Sequence, residues 1–66
     1  MTKREYLNSL IHDLDYYKNF LYVGDIKAKL WHHGEQLTFK AVKERAVELG
    51  QELTKINTDK TYKPWK

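Results

Sequence analysis

The chain has 66 residues, no cysteine and a formal net charge of +3, which leaves room for one small domain and excludes disulfides and thiolate metal sites. A chain this short hides only about 60% of the surface it exposes when unfolded, so its core contributes no more than roughly 3–5 kcal/mol. Its 41% hydrophobic, 32% charged and 14% aromatic residues suit a folded domain, since disordered chains are poor in aromatics.

The first segment reads as a helix. Leu7, Leu10, Leu14, Tyr17 and Leu21 recur at alternating spacings of three and four, the stripe of an amphipathic helix. Ile11 and Phe20 widen that stripe, and Asn8, His12, Asp15 and Asn19 lie opposite it. Thr2 and Glu5 have the spacing of a capping box, in which each side chain satisfies the other residue's backbone donor. The predicted helix spans residues 3–21.

Residues 22–37 admit two readings. Asp25 is positioned to cap a short helix with Ile26 and Leu30 inward and Gly34 as its stop. Alternatively, Ile26, Ala28 and Leu30 alternate with Lys27, Lys29 and Trp31 as in a strand, with Leu37, Phe39 and Ala41 as its partner across a His32-His33-Gly34-Glu35 turn. The helix is preferred because the hairpin would draw Phe39 into a strand and cost the next helix its cap at Thr38.

That next helix has the stripe Phe39, Val42, Ala46, Leu49, Leu53 and Ile56. Gly50 interrupts it at a cost of about 1 kcal/mol relative to Ala. The favoured explanation is a small pair, Ala46 and Gly50, that lets the first helix approach closely; the alternative ends the helix at Leu49. After Ile56 the periodicity stops, and Pro64 precludes a helix in the last residues. The expected organisation is a single helical domain over residues 1–59 with a basic aromatic tail, 60–66. That tail and the three residues before it carry three lysines against one aspartate, and hence most of the excess charge.

Little points to catalysis. There is no cysteine nucleophile, Ser9 is the only serine, and Gly24, Gly34 and Gly50 form no phosphate-cradling loop. His32 and His33, as neighbours in regular structure, are expected to diverge, so neither a metal nor a cofactor is predicted. Lys27, Lys29, Lys40 and Lys43 gather toward the start of the second main helix, where backbone donors and positive charge suit phosphate. Glu44, Glu48 and Glu52 form an acidic row that opposes a nucleic acid lying along that helix. Aligning Gly34 with the turn of a helix-turn-helix puts Lys29, His33, Lys40 and Lys43 where apolar residues belong, so that match fails. Tyr16 falls outside the first stripe, and Trp31, Tyr62 and Trp65 lie outside both. These four are the candidate protein-interaction residues, although Trp65 also suits folding back onto the core.

The sequence therefore predicts an all-α chain: two amphipathic helices and a short helical connector, with a β-hairpin as the alternative, completing a bundle by dimerisation. Its expected role is a non-enzymatic module that docks on another protein and self-associates. The competing expectation is a nucleic-acid-binding accessory protein using the four lysines. No apolar run reaches the ~18 residues of a membrane span and the N-terminus is charged, so the expected setting is the cytoplasm, without a signal peptide.

Overall fold

The computed structural model describes all 66 residues as helix, hairpin, helix: α1 (Lys3–Val23), β1 (Lys29–His32), β2 (Glu35–Thr38) and α2 (Phe39–Thr58). The capping box at the start of α1 is complete. Thr2 Oγ1 accepts the Glu5 N–H at 3.2 Å, and Glu5 Oε1 accepts the Thr2 N–H at 3.1 Å. Gly24 stops α1 in the left-handed region, φ 76°, where its N–H donates to the Leu21 carbonyl.

The all-α expectation is corrected by the connector, an antiparallel β-hairpin. Leu30 stands opposite Leu37, Trp31 opposite Gln36 and His32 opposite Glu35. The turn residues His33 and Gly34 both have positive φ, 52° and 75°, the requirement of a two-residue type I′ turn. Asp25 caps no helix. Its carboxylate accepts the Lys27 N–H and its carbonyl accepts the Ala28 N–H, forming a turn that leads into β1. Ile26, expected inward, is 74% exposed.

The hairpin does not cost α2 its cap. Thr38 ends β2 and is also the N-cap of α2, its Oγ1 accepting the Ala41 N–H at 3.2 Å. The strand stops one residue short of Phe39, which stays in the helix. Helix α2 runs unbroken through Gly50 to Thr58.

The helices lie antiparallel: Phe20 meets Phe39 near one end, and Tyr6 reaches Glu52 near the other. Tyr17 of α1, Leu37 of β2 and Val42 of α2 form the buried cluster, with Leu30, Ala46 and Leu49 packed around it. The hairpin thus supplies in cis part of the cover that a second copy was expected to give. Gly50 is not a point of close approach, because a Cβ built on it meets nothing within 4 Å. The molecule measures 40 × 22 × 14 Å. Its thinnest dimension is little more than one helix diameter, so the two helices lie side by side with most of their surface in water. Only four residues are buried, Tyr17, Leu37, Val42 and Ile56.

Candidate functional site

Polar and aromatic side chains converge where the hairpin tip meets α1. Asp13, Tyr16 and Tyr17 stand at i, i+3 and i+4 of α1, a spacing that puts all three on one helical edge. The hairpin lies against that edge. The Tyr16 hydroxyl donates to the Trp31 carbonyl at 3.2 Å, and the Tyr17 hydroxyl lies 2.8 Å from His32 Nδ1. His32 Nε2 is 3.3 Å from Asp13 Oδ1, and His33 Nε2 is 3.7 Å from Asp13 Oδ2.

The two imidazoles therefore converge, contrary to the expected divergence, and the turn is the reason. Alternation along β1 turns Leu30 and His32 inward and Lys29 and Trp31 outward. A regular strand would send His33 outward as well. At φ 52° His33 has left the strand conformation, and its ring centroid comes within 3.9 Å of that of His32. The carboxylate and both imidazoles can offer donor atoms that all lie within 4.8 Å of one another. Access is graded: the side chain of His32 is 12% exposed, that of Asp13 22% and that of His33 71%.

A second layer of contacts holds this group. Tyr17 is buried, which raises its phenol pKa, while the nearby positive charge of Arg45 opposes the rise. Arg45 Nη2 donates to Glu35 Oε2 at 3.1 Å, so its partner is the hairpin and not Glu48 one turn along its own helix. That bond and the charge of Glu35 push the guanidinium pKa up. The pair is solvent-exposed and contributes roughly 0–1 kcal/mol, but it ties the hairpin to α2 as His32 ties it to α1.

The four aromatic candidates divide between the two ends. Tyr16 and Trp31 belong to the hairpin end, and Trp31 is 64% exposed. Tyr62 and Trp65 are half-buried at the other. The Tyr62 hydroxyl donates to Glu52 Oε1 at 2.7 Å, the same oxygen that accepts from Tyr6 at 3.0 Å. Trp65 lies against Tyr6, with Lys3 Nζ 5.6 Å from its ring centre. Glu52 raises the Tyr62 pKa to about 12 by accepting its proton in a hydrogen bond.

All four candidate lysines are exposed. Lys29 stands opposite Thr38 in the hairpin, just before α2. Lys40 and Lys43 line an open groove with Val47 and two acids, Glu44 and Glu48, so positive and negative charges cancel there. Nothing in the sequence singles out Asp13, whose partners His32 and His33 lie on another element. No helix is long and apolar enough to cross a membrane. No known protein family, curated protein or solved structure matches this chain.

Proposed function

We propose that this chain is a non-enzymatic interaction module that docks on another protein through the segment from the end of α1 to β1. One observation carries the reading: four large apolar side chains lie in solvent within this short segment. Tyr22 is 93% exposed, Val23 77%, Ile26 74% and Trp31 64%. Single exposed apolar residues need no explanation, whereas a contiguous apolar patch marks an interaction surface, and these four, close in sequence, are proposed to form one. Tyr16 steadies the arrangement through its bond to the Trp31 carbonyl. Lys27 and Lys29 interleave with the apolar residues, which suits a partner with an apolar centre and carboxylates at its rim. The proposal places the module in the cytoplasm, where disulfides are rare and a chain without cysteine forgoes nothing.

The test compares affinity capture from the native extract by the wild type and by an Ile26→Ser/Trp31→Ser double variant. Both side chains are exposed, so the fold should survive, which circular dichroism checks. Proteins held by the wild type, lost with the variant and little affected by salt support the reading. An identical set of captured proteins overturns it. Captured nucleic acid that is released by salt and lost on Lys40→Gln/Lys43→Gln overturns it in favour of phosphate binding. The acids beside those lysines weigh against that outcome.

A further inference from the structure

We infer that Asp13, His32 and His33 bind one divalent transition-metal ion of the Zn(II) type, an assignment independent of the docking surface. The donor set is two imidazoles and a carboxylate, which zinc accepts readily. The spacing fits a shared ion better than direct pairing. A charge-assisted N–H···O bond spans about 2.7–2.9 Å, and the two histidine–carboxylate separations are 3.3 and 3.7 Å. Donors bound tetrahedrally at about 2.0–2.1 Å stand roughly 3.3–3.4 Å from one another. The Asp13–His32 separation already has that value. His33 contacts the other carboxylate oxygen, and the donor atoms, one from each residue, all lie within 4.8 Å of one another. It is the most exposed of the three, so its ring has room to swing inward by the rough ångström that a tetrahedral site asks of it.

The surroundings supply what such a site needs. A metal-binding imidazole uses the lone pair of one nitrogen, and its other nitrogen is held by a partner. Here Tyr17 is that partner, 2.8 Å from Nδ1. With no ion, the Tyr17 hydroxyl can donate to Nδ1, which leaves the His32 proton on Nε2 toward Asp13. When the ion binds, the proton occupies Nδ1, the phenol oxygen accepts it, and the Nε2 lone pair goes to the metal. A hydroxyl serves both arrangements because it can donate or accept. Three protein donors leave the remaining coordination to water, reached past His33. The ion would join Asp13 of α1 to both histidines of the hairpin, adding a cross-link between elements that are otherwise held by hydrogen bonds and a small core.

The experiment titrates the metal-free chain with zinc chloride against a chromophoric zinc chelator, and follows the thermal midpoint by circular dichroism. The expected result is one ion per chain and a midpoint raised by several degrees, because an ion that binds only the folded state stabilises it. Magnesium chloride should give no shift, since that ion prefers oxygen ligands. His33→Ala removes an exposed ligand without touching the core and should weaken zinc binding at least tenfold. Tyr17→Phe keeps the buried ring but loses the hydroxyl, and should weaken binding by about 10–100-fold. His12→Ala, a surface histidine outside the cluster, should change nothing. Absence of stoichiometric binding overturns the assignment, and so does binding that His33→Ala leaves intact.

Discussion

Replacing Gly50 with alanine should stabilise this chain. Gly50 lies inside α2, eight residues before its end at Thr58, and glycine there costs about 0.8–1.0 kcal/mol relative to alanine. The penalty comes from the backbone freedom that an unfolded glycine possesses and a folded one loses. Such a glycine persists for a structural reason when a neighbour occupies the space of a side chain. Here the added Cβ meets nothing within 4 Å, so the gain has no steric offset. Thr54 Oγ1 donates to the Gly50 carbonyl at 3.0 Å, a contact that the substitution leaves in place. For a domain of this size about 1 kcal/mol moves the midpoint by roughly 4–8 °C, a large change when the whole core contributes only a few kcal/mol. Thermal melts at 222 nm, with guanidinium titrations to check that the slope is unchanged, measure it. Gly50→Val should gain less, because a β-branched side chain loses rotamer freedom in a helix. An unchanged or lowered midpoint for Gly50→Ala would refute the reasoning and return Gly50 to the role of a packing contact.

Gly34→Ala should have the opposite sign: there is space around Gly34 too, but φ is +75°, so the change should cost about 1–2 kcal/mol, read from the same melts. Leu37→Ala should cost about 2–5 kcal/mol and leave the chain largely unfolded at room temperature, because Leu37 brings the hairpin into the buried cluster; a near-native melt would make the hairpin peripheral. Alkaline pH should destabilise the fold. Tyr6, Tyr17 and Tyr62 all have raised pKa values, Tyr62 to about 12, so the folded state holds these protons more tightly than the unfolded one. Their contribution is complete below the ordinary tyrosine value of about 10 and is lost as pH rises toward 12. Melts across that range check it, and Glu52→Gln should flatten the profile by removing the charge beside Tyr6 and Tyr62.

The helices were legible because twenty residues give a stripe time to repeat. Leu7 to Leu21 and Phe39 to Ile56 each hold the three–four spacing over several turns, and Thr2, Glu5 and Thr38 are unambiguous as caps. The hairpin was not, because strands of four residues hold only two periods of alternation. The hairpin alternative has the right turn residues, His33 and Gly34, and strand and cap are no rivals for Thr38. They are compatible because an N-cap residue has extended dihedrals, and Thr38 has φ −73° and ψ 165°. Asp13 was invisible as a site residue because its partners are some twenty positions away, and a helical wheel records only neighbours on the same helix. Tyr17 shows the limit of the stripe in another way. Its ring belongs to the core as the periodicity implied, while its hydroxyl belongs to the histidine cluster.

The double use of Thr38 makes chain length itself a specification. Between Leu37, which must face the core, and Ala41, whose N–H must meet the cap, there is no spare residue in which an insertion could be absorbed. One residue added there would force a choice. Keeping the cap would slip the strand by one position, exchanging the faces of Gln36 and Leu37 and turning the buried leucine into water. Keeping the strand would start the helix late and rotate its stripe by about 100° away from α1. Single-residue insertions between positions 37 and 39 should therefore be among the least tolerated in the chain. The same insertion in the exposed stretch from Gly24 to Lys27, where the turn has solvent on its outer side, should be borne far more easily.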